Sequence, residues 1–84
     1  LGQNDAAIKS FKKAISVDPS NTRVRFIYAV ALSEQGQATK AVSQLQKGLK
    51  HEPYNVELLQ FVVSLLEQQG RTMEAAGYRA RLSQ

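Results

Sequence analysis

Hydrophobic residues recur along this chain at the spacing of amphipathic α-helices. In the first such segment, the positions i, i+1, i+4, i+7 and i+8 of one helical face are occupied by Ala7, Ile8, Phe11, Ala14 and Ile15. In a later segment the same positions are occupied by Ala41, Val42, Leu45, Gly48 and Leu49. Turn residues separate the helical segments at short intervals, which leaves no stretch for strands. The pattern therefore predicts an all-α protein.

Proline, asparagine and glycine mark where the predicted helices end and begin. Pro19 and Pro53 each terminate a helix, and the asparagine two residues later can cap the next one. Gly36 and Gly70 follow helix ends, where glycine adopts a left-handed conformation without a Cβ clash. These signals predict five helices, at residues 5–17, 22–35, 38–51, 56–69 and 72–82.

The sequence also repeats itself at a fixed interval. Gly2, Gly36 and Gly70 are separated by 36 − 2 = 34 and 70 − 36 = 34 residues. The same interval of 34 residues separates the alanines at 7, 41 and 75 and the prolines at 19 and 53. A fixed period of this length is typical of repeat proteins, in which each unit packs only on its neighbours.

A 34-residue unit of helix, turn and helix resembles the tetratricopeptide repeat, with its W-x₂-L-G-x₂-Y, A-x₃-F and P pattern. In residues 22–55, the motif positions are occupied by Arg25, Tyr28, Ala29, Leu32, Ala41, Leu45 and Pro53. Residues 1–21 supply Ala7, Phe11 and Pro19, and residues 56–84 supply Leu59, Val62, Val63, Leu66 and Ala75. Arg25 replaces the motif's Trp, and Arg79 stands where an aromatic residue is expected, which should weaken the last helix.

The resemblance implies a right-handed α-solenoid of antiparallel helix pairs, in one domain spanning residues 1–84. We expect a half repeat at 1–21, a full repeat at 22–55 and a partial repeat at 56–84. Ala29, Ala41 and Gly48 are small because neighbouring helix backbones should approach closely at these positions. The chain opens with neither a methionine nor a signal segment, so we expect a fragment of a longer protein.

The composition argues against catalysis. The 84 residues include no cysteine, which excludes disulfides, thiolate nucleophiles and cysteine-bound zinc or haem. His51 is the only histidine, and the chain contains neither a nucleophile elbow nor a glycine-rich phosphate loop. We therefore predict no catalytic, cofactor-binding or metal-binding residue, and we expect a protein that is not an enzyme.

The net charge of +4 results from eleven basic and seven acidic residues. The lysines all lie on the second helix of a repeat, at Lys9, Lys12, Lys13, Lys40, Lys47 and Lys50. In the resembled family this helix forms the outside of the coil, so a solvated face is the first interpretation and a nucleic-acid-binding surface is a lesser alternative. The apolar run at residues 61–66 is far shorter than the ~20 residues of a membrane-spanning helix, so we expect no membrane insertion.

In tetratricopeptide arrays the first helix of each repeat lines a concave groove that binds a segment of a partner protein. The resemblance therefore implies a scaffold for protein–protein interaction, with groove residues Arg23, Phe26, Val30, Ser33, Glu34, Glu57, Gln60, Ser64 and Glu67. Phe26 and Val30 would be apolar anchors, or alternatively core residues covered by a preceding helix. Some family members bind a C-terminal carboxylate with Lys and Asn on this face, and this set is not reproduced here.

Two further expectations concern the parent protein and the open end of the array. The segments 26–32 and 77–82 resemble repeat tails of bacterial multihaem cytochromes, which would place the chain in the periplasm beside an electron-transfer assembly. The sequence itself is compatible with a cytoplasmic or a periplasmic location. Because the first helix lacks its partner, we also expect the chain to associate with itself through the face that carries Ile8, Phe11 and Ile15.

Overall fold

A computed structural model describes residues 2–83, and terminal residues 1 and 84 of the predicted domain lie outside the described part. The helices are α1 (Gly2–Val17), α2 (Thr22–Glu34), α3 (Ala38–His51), α4 (Val56–Gln68) and α5 (Thr72–Leu82). Between residues 2 and 83 there is no strand, so the all-α prediction is confirmed. The predicted ends differ from these by at most one residue, except that α1 begins three residues earlier than predicted.

An asparagine caps the start of α2 and of α4, the first helix of each repeat, as the sequence predicts. The Asn21 side chain accepts a hydrogen bond from the Val24 amide at 3.1 Å, and Asn55 accepts one from the Leu58 amide at 3.0 Å. Each bond satisfies an amide that has no partner within its own helix. The two repeats therefore enter α2 and α4 with the same local geometry.

The two predicted glycine turns are also confirmed, because Gly36 and Gly70 have φ angles of +77° and +75°. After α2, the Gly36 amide donates to the Ser33 carbonyl at 3.0 Å and the next amide donates to the Leu32 carbonyl at 2.9 Å. The same two bonds follow α4, at 3.0 and 2.8 Å. This pair of bonds is the Schellman motif, which closes a helix end and reverses the chain into the next helix.

The helices form an elongated stack in which each helix packs mainly on the next one along the chain. The molecule measures 37 × 25 × 14 Å, as expected for stacked helix pairs and not for a closed bundle. The core is formed by Tyr28, Ala29, Leu32, Ala41, Val42, Leu45, Leu49, Leu58, Leu59, Val62, Val63, Leu65, Leu66 and Ala75. All of these residues lie on α2 to α5.

Small residues permit the close approach of α2, α3 and α4. Ala29 and Ala41 are completely buried. A Cβ atom added to Gly48 would lie 3.1 Å from Leu58 Cδ1 and 3.6 Å from Arg25 Cδ. The packing at this position therefore favours a small residue, because even an added methyl group would require the Leu58 side chain to shift by a few tenths of an ångström.

Arg25, at the motif position of Trp, is buried with 6% of its surface exposed. Its Nε donates to the Pro19 carbonyl at 3.0 Å, and its Nη1 donates to Gln44 Oε1 at 2.8 Å. The aliphatic part of the side chain therefore fills space in the helix interface, while the guanidinium joins the turn before α2 to α3.

Candidate partner-binding groove

A cleft of about 300 Å³ lies where the amino-terminal ends of α2 and α4 come together. The Asn21 and Asn55 caps start both helices at equivalent positions, and this arrangement brings the two first turns to the same end of the stack. The cleft is lined by Thr22, Arg23, Phe26, Ile27, Glu52, Asn55, Glu57 and Leu58. Three of the predicted groove residues, Arg23, Phe26 and Glu57, are among them.

Two phenylalanines join α2 to α4 beside this cleft. The rings of Phe26 and Phe61 pack edge to face, with centroids 5.6 Å apart and an interplanar angle of 60°. Both side chains are half-buried against the core. Phe26 is therefore a partly accessible apolar surface that a neighbouring first helix supports from one side.

Sequence reasoning missed Phe61 and Ile27 as members of this surface. Ile27 lines the cleft and is 44% exposed, which is high for a large aliphatic residue. The repeat could have identified both, because 61 − 27 = 34 places them at equivalent positions of the two units. The predicted stripe included Phe26 and its equivalent Gln60 but omitted the adjacent position in each repeat.

The charged side chains of the cleft differ in the hydrogen bonds and ion pairs that they form. Glu52 accepts hydrogen bonds from the Thr22 hydroxyl and, at 3.0 Å, from Asn55 Nδ2. These two bonds lower the pKa of the Glu52 carboxyl group below its usual value. Arg23 and Glu57 are exposed, and within residues 2–83 neither of them forms an ion pair. Besides the hydrogen-bonded Glu52, the cleft therefore presents the cation Arg23 and the anion Glu57 to a bound segment.

The other six predicted groove residues are not among those lining the cleft. Val30 and Ser33 are half-buried, whereas Glu34, Gln60 and Ser64 are exposed further along α2 and α4. Glu67 is engaged by Arg79 of α5 in an ion pair. Arg79, which departs from the aromatic pattern, thus ties α5 to α4 through a surface contact, and such exposed pairs contribute little stability.

All six lysines predicted to lie on the outside are exposed, on α1 and α3. In the described part of the chain, no group of three or more acidic or histidine side chains is arranged to hold a metal ion. Within the same residues, no helix is both long and apolar enough to cross a membrane.

Comparison with known proteins agrees with this architecture. The family model of the tetratricopeptide repeat matches residues 1–53. The solved structure of the MamA D159K mutant is 27% identical and superposes with a TM-score of 0.83, covering 93% of this chain and 45% of that chain. A second structure, described as MamA AMB-1 C2221, is 26% identical with a TM-score of 0.83, covering 94% and 46%.

The chain thus spans less than half the length of these MamA structures. No curated protein is similar enough in sequence to count as a match. The repeat spacing, the paired helices, the family match over most of the chain and the likeness to MamA all lead to one assignment. The protein belongs to the tetratricopeptide repeat family, whose stacked helix pairs serve as scaffolds for protein–protein interaction.

Proposed function

We propose that this protein binds a segment of a partner protein in the groove formed by α2 and α4, without catalysing a reaction. The observation that carries the proposal is the cleft of about 300 Å³ bordered by Phe26 and the 44% exposed Ile27. Exposed large apolar residues beside a concave surface are typical of sites that receive one anchoring side chain. The bound segment would place an apolar side chain there.

The charged and polar residues of the groove supply the rest of the recognition. Arg23 and Glu57 are free to pair with groups of opposite charge, while Gln60 and Ser64 are exposed donors and acceptors further along α4. Polar groups of this kind fix the register of a bound segment more than they add affinity. The proposed ligand is therefore a short segment with one hydrophobic residue flanked by residues of both charges.

Affinity capture with variants of this chain tests the proposal. The exposed Ile27 is replaced in Ile27→Ser, and the predicted anchors are removed together in Phe26→Ala/Gln60→Ala. Met73→Ser is the matched control, because Met73 is an exposed apolar residue on α5 with 88% of its surface accessible. We expect the partner to be lost with both groove variants and retained with the control.

If all variants recovered every partner equally, the binding site would lie outside the groove and the proposal would be wrong. Because Phe26 supports Phe61, the double variant is first checked for an unchanged circular dichroism spectrum. Ile27→Ser does not depend on this check, since Ile27 takes no part in the core.

The periplasmic cytochrome tail remains the alternative for the parent protein. This chain itself contains no cysteine and so carries no haem-attachment motif. Both solved relatives named above are MamA, which favours a scaffold context over a redox one. Sequencing the gene upstream decides between them, since several Cys-x-x-Cys-His motifs would establish the cytochrome and further repeats would establish the scaffold.

Self-association through α1 is a further part of the proposal. Within residues 5–17 no side chain is fully buried, whereas each of the other four helices contributes buried residues. The face of Ile8, Phe11 and Ile15 is half-buried. In one of its contacts, the Phe11 ring packs on the Tyr28 ring, with 6.0 Å between the two ring centroids. A second copy would cover the part of this face that α2 leaves open.

A further inference from the structure

A second cleft, of about 530 Å³, lies between the second helices α3 and α5. It shares no residue with the groove of α2 and α4. The residues that line it are Ser43, Gln46, Lys47, Leu49, Lys50, Pro53, Tyr78 and Arg81. Three of the eight are cations and none is acidic. The cleft therefore combines a concentrated positive charge with a concave shape.

Within the described residues, no acidic side chain forms an ion pair with these cations. Glu74 binds Arg71 through two hydrogen bonds of 2.9 and 2.8 Å. Glu52 is bonded to Thr22 and Asn55, and Glu67 is paired with Arg79. Each carboxylate is thus engaged elsewhere, and within the described part of the chain Lys47 and Lys50 form no ion pair.

Arg81 contacts Tyr78 and Pro53 but keeps most of its donors available. Its guanidinium lies over the Tyr78 ring at 5.1 Å, and its Nη1 donates to the Pro53 carbonyl at 3.5 Å. Within residues 2–83 its other two nitrogens have no hydrogen-bond partner. A positioned guanidinium with free donors suits a carboxylate, which it can bind through two parallel bonds.

The cleft also has apolar walls, which restricts the kind of ligand. Leu49 is buried in its floor, and Pro53 and Tyr78 contribute apolar surface. Single-stranded nucleic acid binds best where exposed aromatic faces allow bases to stack, and Arg81 already occupies one face of the Tyr78 ring. A protein segment that alternates carboxylates with apolar side chains matches both the charges and the walls.

We propose that the cleft between α3 and α5 binds an acidic segment of a protein, whose carboxylates pair with Lys47, Lys50 and Arg81. This site is separate from the groove of α2 and α4, so the scaffold would hold two partners, or two segments of one partner, on different helices. The two sites can be tested independently because a variant of one leaves the residues of the other unchanged.

Fluorescence anisotropy with a labelled peptide of sequence Glu-Glu-Leu-Glu-Glu-Leu-Glu-Glu tests the proposal. The variant Lys47→Glu/Lys50→Glu reverses two cations of the cleft, both on exposed side chains. Lys12→Glu/Lys13→Glu is the matched control, since it makes the same change of net charge on the exposed face of α1. We expect the cleft variant to weaken peptide binding by about tenfold and the control by no more than about twofold.

Three results would overturn the proposal. The first is no binding of the peptide to the unmodified protein, and the second is equal weakening by both variants, which would indicate general electrostatic attraction. The third is tighter binding of an eight-nucleotide oligothymidine than of the peptide, with the same loss in the cleft variant, which would assign the site to nucleic acid. Lys47→Gln/Lys50→Gln repeats the test without charge reversal, and Ile27→Ser should leave peptide binding unchanged.

Discussion

At the scale of single residues, glycine has opposite effects at Gly36 and Gly77. Gly36 has a φ angle of +77°, a conformation that other residues adopt only with strain. Gly77 lies within α5, and a Cβ atom placed there would meet nothing within 4 Å. The first glycine is therefore required by the backbone, whereas the second only lowers the helix propensity.

Replacing each of these glycines by alanine should change stability in opposite directions. We expect Gly36→Ala to lower the free energy of unfolding by about 1–2 kcal/mol because of the left-handed conformation. Gly77→Ala should raise it by about 0.5–1 kcal/mol through helix propensity. Urea unfolding followed by circular dichroism measures both. A stabilising Gly36→Ala would contradict the assigned turn.

The completely buried Ala41 gives a second test at this scale. Ala41→Leu adds atoms to a helix interface without free space and should lower the free energy of unfolding by about 1–3 kcal/mol. Ala76→Leu is the control, because Ala76 is exposed on α5 and leucine is a good helix former. Thermal unfolding compares the two, and an Ala41→Leu melting temperature within a degree or two of the parent would refute close packing.

The residue scale is also where sequence reasoning falls short. Hydrophobic spacing locates Ala41 and Leu45, because burial follows directly from the helical period. It does not reveal that Arg25 is buried, since that depends on acceptors from the turn before α2 and from Gln44 of α3. Similarly, Ile27 is apolar yet 44% exposed, and only the geometry of the neighbouring helix decides this.

At the scale of helices and turns, Glu52 connects two units of the array. Its carboxylate accepts a hydrogen bond from the hydroxyl of Thr22, which lies at the start of α2, thirty positions earlier in the chain. It also accepts one from the side-chain amide of Asn55, the cap of α4. The turn between α3 and α4 is thereby fastened to the beginning of the full repeat. The predicted helix ends needed only local caps, but this contact joins segments that are distant in sequence.

This contact makes stability depend on acidity. The hydrogen bonds to Glu52 lower the pKa of its carboxyl group in the folded protein, and the hydrogen bonds that Arg71 donates lower the pKa of Glu74, with a smaller contribution from the positive charge of Arg71. Both stabilising contributions are complete above the ordinary carboxyl pKa near 4.5 and are lost as the pH falls through the lowered values. The free energy of unfolding should therefore decrease as the pH falls from 5 to 3.

Urea unfolding of Glu52→Gln at several pH values measures how much Glu52 contributes to the pH dependence of the free energy of unfolding. The decrease in stability between pH 5 and pH 3 should be smaller in Glu52→Gln than in the parent. The control is Glu34→Gln, which removes an exposed carboxylate of α2 that forms no side-chain hydrogen bond or ion pair within residues 2–83. An identical pH profile for Glu52→Gln and the parent would contradict the prediction.

At the scale of the whole molecule, the stack is covered unevenly. The core lies on α2 to α5, and within residues 5–17 the apolar residues that attach α1 to it, such as Ile8 and Ile15, are half-buried. The helical period of the sequence predicted the apolar face of Ile8, Phe11 and Ile15, but how much of that face stays open depends on packing between helices.

The open face leads to a prediction about oligomeric state. We expect light scattering after size-exclusion chromatography to give a mass that rises with concentration above that of the 9.3 kDa monomer. Ile8→Gln should shift this association to higher concentration, whereas Met73→Gln on α5 should not. A strict monomer at the highest concentration would show that α1 needs no further cover.

The identical glycine turns after α2 and α4 have a consequence for how such a chain can lengthen. Residues 36–69 begin at Gly36 and stop just before Gly70, so a tandem copy inserted there would meet the same hydrogen-bonding pattern at both junctions. The small residue that packs against α4 would also be kept, because Ala41 of the copy takes the place of Ala75. Unequal recombination of the gene could thus add a unit in one event and yield a longer folded array.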